Sequence, residues 1–319
     1  MSEPAADRLP PAVLLMGPTA AGKTEVAMAL AQRMAVSLIS VDSAQVYRGL
    51  DIGSAKPDAE TLSRFPHALI DIRDPEETYS AADFASDAAV AIRAARESGR
   101  LPVLVGGTTM YFRALVYGLD PMPSADAELR AEIAAEAEQR GWPSLHAELA
   151  RHDPESGARI RPNDPQRIQR AIEILRLTGR GPSAFHRDNR VPQLDCLRLV
   201  LTASDRHVLH QRIAGRFRKM LDAGLVEEVT ALRRRPELTL EHPSMRSVGY
   251  RQVWQHLDGE FGLDEAERRA TAATRQLAKR QLTSLRQFQR GLWHDPRQKR
   301  TIDLIFRQVG EFERRVHKG

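Results

Sequence analysis

The chain has 319 residues, with 47 Lys+Arg against 42 Asp+Glu and a formal net charge of +5. Hydrophobic residues at 42% and charged residues at 28% fit a globular protein with a core and exclude a disordered or fibrous one. The single cysteine, Cys196, excludes an intramolecular disulfide and a Cys-rich zinc site, and fits a reducing, cytoplasmic setting.

Met1 to Pro11 lacks the basic stretch of a signal peptide and reads as a disordered lead-in. No apolar run approaches the ~20 residues that span a bilayer, so no membrane partner is expected. Val13–Met16 is an apolar run ending in a glycine loop, and a helical pattern follows from Lys23 to about Met34. Val36–Val41 is a second apolar run, ending at Asp42. A helix is predicted near Ala81–Ser98 with Gly99 as its stop, and Leu101–Val105 then runs into Gly106-Gly107. Short apolar strands alternating with helices predict an α/β fold built on a doubly wound parallel sheet. Ligands of such sheets bind at the carboxyl ends of the strands, where Gly17, Asp42 and Gly106 stand.

The two prolines and capping serine of Leu119–Ser124 mark a boundary. Helices are predicted over about Ala125–Arg140 and Pro165–Leu177, and Leu197–Thr202 returns as a strand. The expected organisation is therefore a catalytic core of 1–120 and 195–319, interrupted by a helical insertion over 121–194. Beyond the last strand the chain reads as helical. Asp205 caps one helix through about Ala223, and a long helix covers about Asp264–Arg290.

Gly17-Pro18-Thr19-Ala20-Ala21-Gly22-Lys23-Thr24 fits the phosphate-loop pattern at every fixed position, after an apolar strand and before a helix. Such a loop turns backbone N–H groups inward around an anion, and the following helix adds the positive end of its dipole. Lys23 supplies a charge to the distal phosphate, and Thr24 is placed to coordinate Mg²⁺. The pattern specifies a phosphorylated ligand, not whether a phosphoryl group moves. Asp42 fits a metal-holding acid by pattern, a general base toward an acceptor by position, and equally a turn or cap aspartate.

The motif residues after Asp42 resemble those of the tRNA dimethylallyltransferases (tRNA isopentenyltransferases), in the bacterial form without a zinc finger. They are Asp42–Pro57, His67–Asp71, Tyr79–Phe84, Gly106–Tyr111, Arg161–Arg170 and Arg246–Arg251. The resemblance runs from about residue 12 to about 290. It implies transfer of a dimethylallyl group from dimethylallyl diphosphate to N6 of adenosine 37 of tRNA, with diphosphate leaving. It implies that Asp42 is the base, with Lys23 and Thr108 as further catalytic groups. Residues Gly17 to Thr24 and Arg130 would hold the diphosphate. Ser43, Ala44 and Gln45 would wall the adenine side. The tRNA would touch Gln166, Arg167, Ile168, Gln169, Arg170, Arg246, Ser247, Val248, Gly249, Tyr250 and Arg251. The protein would act as a monomer.

Charge is unevenly divided. Residues 1–120 hold 11 basic and 15 acidic side chains, a net of −4, and the rest carries a net of +9. Between 166 and 190 only Glu173 and Asp188 offset six arginines, among them Arg176, Arg180, Arg187 and Arg190. On the long helix Arg268, Arg275, Lys279, Arg286 and Arg290 fall on one stripe, with neighbouring Arg280. An apolar stripe through Ala270, Ala273, Leu277, Leu285 and Phe288 lies on another face. This layout predicts a phosphate-contacting surface, and the low aromatic content of 5% favours phosphate clamping over base stacking.

Overall fold

A computed structural model describes residues 8–186 and 191–317. The expected N-terminal lead-in falls largely outside them, as do Arg187, Asp188 and Arg190. Two compact units are formed: residues 1–116 with 192–319, and residues 117–191. The sequence places these changes at 121 and 195.

The first unit begins with β1 (Ala12–Met16), α1 (Lys23–Arg33), β2 (Val36–Val41), α2 (Ala59–Arg64), β3 (His67–Ala68), α3 (Ala81–Glu97), β4 (Leu101–Gly106) and α4 (Thr109–Tyr117). The second unit holds α5 (Ala127–Arg140), α6 (Trp142–His152), α7 (Pro154–Arg159) and α8 (Pro165–Thr178). The first unit then resumes with β5 (Cys196–Leu201), α9 (Arg206–Asp222), α10 (Leu225–Arg233), α11 (Tyr250–Leu257), α12 (Leu263–Leu285), β6 (Leu292–His294) and α13 (Thr301–His317).

The sheet is parallel throughout, in the order β3-β2-β4-β1-β5-β6. Neighbouring residues Leu14 and Leu15 point to opposite faces, and both are fully buried. Both faces are therefore covered, which is why the strands read as continuous apolar runs and not as alternating patterns. One face packs α1 and α13 through Val26, Leu30, Ile305 and Val309. Register then decides where the site forms. Val41 pairs with Gly106, and Gly106 pairs with Met16. The loops that begin at Gly17, Asp42 and Gly107 leave the sheet at one level and side by side.

Short polar caps set the helix starts. Ser80 and Asp83 form a reciprocal capping box at α3, and Asp205 accepts the His207 N–H at α9. In the helical unit Asp126 caps α5 and Asp164 caps α8, with Pro165 at its first position. That unit has its own core of Ile133, Leu145, Leu149, Ile168 and Ile172.

Two expectations are corrected here. The long helix ends at Leu285, not Arg290: the chain turns, Phe288 is buried, and Arg290 adopts a left-handed φ of 59° before Gly291. That turn feeds β6, a three-residue strand in a stretch read as helical. The Arg198 guanidinium, reaching from β5, donates to the Gln289 carbonyl across it.

Candidate active site

Gly22 stands at φ 86° as the N-cap of α1, a left-handed conformation that favours glycine over a residue with a Cβ. It turns the loop so that the first-turn N–H groups of α1, which have no partner inside the helix, open toward the loop's concave side. Two other loop amides are already engaged: the Ala21 N–H donates to the Pro18 carbonyl and the Thr19 N–H to Gln281 Oε1. Lys23 Nζ donates to the carbonyls of Gly17 and Pro18, at 3.1 and 2.8 Å. Burial pushes Lys23 down to about 8, with the charge of Asp42 opposing the shift and that of Arg216 adding to it.

Asp42 follows β2 directly. Its Oδ1 accepts the Ala44 N–H at 2.9 Å and the Gln45 N–H at 3.4 Å. It is a turn aspartate, and the same residue lines the cavity. Thr108 Oγ1 accepts the Ser43 N–H at 3.1 Å, and the Thr108 N–H donates to the Val41 carbonyl. Gln45 receives the Ser40 hydroxyl at Oε1 and donates from Nε2 to the Ala55 carbonyl.

Gln281, on α12, is a site residue that sequence reasoning missed. Its Oε1 takes the Thr19 N–H at 3.0 Å, and its Nε2 donates to the Gly107 carbonyl at 2.9 Å. One side chain therefore spaces the phosphate loop from the Thr108 loop. Thr274, Leu277, Gln281 and Ser284 share a helix face that lines the cavity. Leu277, read as core, belongs to this face. Replacing Gln281 by Met, which keeps length and removes both hydrogen bonds, is expected to lower turnover roughly tenfold. Single-turnover kinetics beside tRNA binding checks this; an unchanged rate constant would refute the spacing role.

A cavity of about 660 Å³ is lined by Thr19, Asp42, Thr108 and Gln281 among these groups. Thr19, Asp42, Ser43 and Thr108 line one part of it, and Ile213, Phe217, Met220, Val248 and Leu277 give an apolar wall. A recess of about 410 Å³ beside the phosphate loop brings Lys23 together with Arg212, Arg216 and Lys219 of α9. These three α9 cations recur at intervals of four and three residues and so share one helix face. Arg212 has a buried guanidinium nitrogen without a hydrogen-bond partner, a donor that an anion in this recess could satisfy. Arg216 donates to the Ser54 carbonyl and lines the cavity, this recess and a third, smaller one that holds Lys23, Thr24, Asp42 and Gln45. Burial lowers its guanidinium, against the opposing charges of Asp42 and Glu25. The sequence signal for this face is a period of three and four in basic residues after Asp205.

The remaining predicted residues divide between the cavity and other places. Tyr250 is fully buried and its hydroxyl donates to Glu228, so it is no RNA contact. Gly249 is also buried, as the N-cap of α11. Ser247, Val248 and Arg246 line the cavity, with Arg246 paired to Glu241, and Arg251 is exposed. In the helical unit Ile168 is a core residue. Glu173, fully buried, accepts both Arg130 and Arg170, whose side chains remain partly exposed. Arg176 pairs with Glu136 and Glu148, acids that lie outside residues 166–190 in sequence. Gln169 donates to the Arg130 carbonyl, whereas Gln166 and Arg167 are exposed, Arg167 beside Asp164. On α12 Arg268 is paired with Glu265, leaving Arg275, Lys279 and Arg286 as the exposed basic stripe. Arg280 lines the cavity.

A parallel α/β sheet with an anion loop, a neighbouring carboxylate and an apolar wall around one cavity defines a phosphate-loop enzyme acting on a phosphorylated organic substrate. Residues 45–288 match the family model "IPP transferase". The chain is 52% identical over 318 residues to tRNA dimethylallyltransferase 2 of Hahella chejuensis, covering 95% of this chain and 96% of that one. It is 58% identical over 280 residues to tRNA dimethylallyltransferase of Dechloromonas aromatica, covering 87% and 89%. Among solved structures it resembles the tRNA isopentenylpyrophosphate transferase of Bacillus halodurans, with a TM-score of 0.71, 36% identity and coverage of 98% and 99%. A eukaryotic dimethylallyltransferase acting on tRNA matches with a TM-score of 0.72 and 26% identity, over 86% of this chain and 69% of that one. The chain belongs to the IPP transferase family, the tRNA dimethylallyltransferases.

Proposed function

We propose that this protein transfers a dimethylallyl group from dimethylallyl diphosphate to the exocyclic N6 of adenosine 37 in tRNA, releasing diphosphate. The observation that carries this reading is the cavity in which Thr19 of the anion loop, Asp42 and an apolar wall meet. A diphosphate, a short hydrocarbon and an amine acceptor each find matching chemistry there.

Ionisation of the allylic C–O bond is eased where the departing charge is stabilised. The first-turn amides of α1, Lys23 and the cations of α9 supply that stabilisation. N6 is a weak nucleophile because its lone pair is delocalised into the ring. As the C–N bond forms, the N6 proton passes to the Asp42 carboxylate, and Thr108 and Ser43 hold that side of the site. The Asp42, Ser43, Ala44 and Gln45 segment then walls the adenine side. Reaching it requires the base to leave the anticodon-loop stack.

Mg²⁺ fits the donor set. The ion keeps several waters and is held by one or two protein oxygens plus substrate phosphates. Thr24 is exposed at the α1 N-terminus, and no cluster of three or more His, Cys, Asp or Glu side chains stands among the described residues to cage a metal by protein alone. Thr24 would hold the ion, which when bound would neutralise diphosphate charge. Because Lys23, Asp42 and Thr108 all come from one chain, we take the monomer as the working unit. No helix of the described residues is long and apolar enough to cross a membrane.

The tRNA backbone is assigned to Arg275 and Lys279 of α12 and Arg286 at its C-cap, and to exposed groups of the helical insertion such as Gln166 and Arg167. Replacing the three α12 cations by Gln is expected to reduce the slope of log K against log salt by roughly 2–3, at ~0.7–0.9 for each phosphate that is no longer neutralised. Filter binding at several salt concentrations measures it, and an unchanged slope would place the RNA on another face. Incubation with undermodified tRNA, dimethylallyl diphosphate and Mg²⁺ should yield prenylated adenosine by mass spectrometry. Absence of product, with ATP consumed instead, would favour a small-molecule kinase.

A further inference from the structure

The loop Leu50–Pro57 follows the Asp42 turn, reaching the cavity with Gly53 and Ser54 and the smaller recess with Ser54, Ala55 and Pro57. A loop of this kind needs its backbone polar groups satisfied, and one side chain satisfies three of them in a row. Glu228, in the first turn of α10, accepts three successive N–H groups: Asp51 at 3.2 Å, Ile52 at 2.7 Å and Gly53 at 3.2 Å. The same carboxylate accepts the Tyr250 hydroxyl at 2.6 Å. Tyr250 opens α11 and is fully buried. Its ring lies so close to Gly53 that a Cβ there would stand 2.6 Å from it. Lys56 ties the far end of the loop down, with Nζ on the Tyr47 carbonyl and on Asp51 and Asp71.

The inner side of this loop meets the site. Gln45 donates to the Ala55 carbonyl and Arg216 to the Ser54 carbonyl. The loop lines the two recesses that contain Asp42, the smaller of which also holds Lys23, Thr24 and Arg216, and it is absent from the recess of Arg212 and Lys219. Neither Glu228 nor Tyr250 lines any of the three.

We propose that Glu228 and Tyr250 form a latch that holds the 50–57 loop as the acceptor-side wall of the cavity, acting as positioning residues through that loop. The proposal rests on the transfer reading above. It also gives the Arg246–Arg251 motif a task that RNA contact does not: Tyr250 is spent on the loop, while the preceding Arg246 to Val248 line the cavity. Because the loop borders Asp42 in both recesses and reaches the diphosphate side only beside Lys23 and Thr24 and through Arg216, loosening it should weaken use of tRNA more than use of dimethylallyl diphosphate.

The test uses the full-length enzyme with Tyr250→Phe, which removes one hydroxyl, and Glu228→Gln, which turns one acceptor oxygen into a donor facing N–H or O–H groups. Steady-state kinetics with each substrate varied are paired with amide hydrogen exchange over residues 51–53, well below the unfolding temperature. Expected are a roughly tenfold lower kcat/KM for tRNA, a KM for dimethylallyl diphosphate within about twofold of wild type, and faster exchange at the three amides. Faster exchange with normal kcat/KM for tRNA overturns the latch as a positioning device, as does an equal rise in both KM values. If Glu228→Gln fails to fold, Tyr250→Phe decides by the same criteria. A wild-type enzyme that makes no prenylated adenosine overturns the transfer reading itself; a working wild type with unaffected variants overturns the latch alone.

Discussion

Asp42→Asn is expected to lower kcat for prenyl transfer by about 10²–10⁴-fold while leaving tRNA and dimethylallyl diphosphate binding within about threefold of wild type. Asparagine is the informative choice. Asp42 Oδ1 carries a structural duty, accepting the Ala44 and Gln45 N–H groups, and an amide oxygen can do the same. What the amide cannot do is take a proton from N6. Asp42→Ala removes both functions, so it should add a binding defect through the loosened 43–45 segment. The two variants together separate base chemistry from turn geometry. Rapid-quench measurement of the chemical step beside tRNA binding gives both readouts. A normal chemical step in Asp42→Asn would remove Asp42 as the base and restrict it to the turn.

The turn at Asp42 bears on what was legible in the sequence. The phosphate loop, the parallel strands and the helix starts follow from local chemistry: apolar runs, Gly at a left-handed position and capping carboxylates. β6 was not legible, because three residues carry no period and its Leu292 and Trp293 are partly exposed. The end of the long helix was missed for a related reason. Nothing in Arg286–Arg290 breaks a helix before Gly291, and the turn is imposed by Phe288 entering the core and by the demand to feed β6.

The site divides in the same way. Lys23, Thr24, Asp42 and Thr108 belong to short loops at strand ends or the helix start beside them, and the resemblance names them. Gln281, Arg216 and Glu228 come from helices far along the chain from the loops they hold. The separation is 162 residues for Arg216 and Ser54, 176 for Glu228 and Ile52, and 262 for Gln281 and Thr19. Only the fold reports such pairings. The misplacements of Tyr250 and Ile168, both buried, share one cause. A motif read residue by residue assigns its whole length to the ligand, whereas a helix or turn must spend part of any motif on its own core. Counting charges within a sequence window failed similarly for Arg176, whose partners Glu136 and Glu148 lie on other helices.

Lys23 carries the second large effect, and its signature is a pH profile. Burial lowers its ammonium to about 8, so in the free protein the charged form dominates below that pH and is lost above it. A diphosphate binds the charged form and holds the proton on. The value of kcat/KM for dimethylallyl diphosphate should therefore be level below pH ~8 and fall about tenfold per unit above it. At saturating substrate kcat should stay level to higher pH, because the bound diphosphate raises the same group. Lys23→Met should lower kcat/KM by about 10²–10³-fold, the scale of losing one oriented charge at a developing oxyanion. It should also erase the break near pH ~8. Lys23→Arg keeps a charge that does not titrate in this range, so its profile should be level as well, at an intermediate rate. An unaltered break in both variants would assign the titration to another group, and would leave Lys23 a loop tie to the Gly17 and Pro18 carbonyls rather than the leaving-group cation.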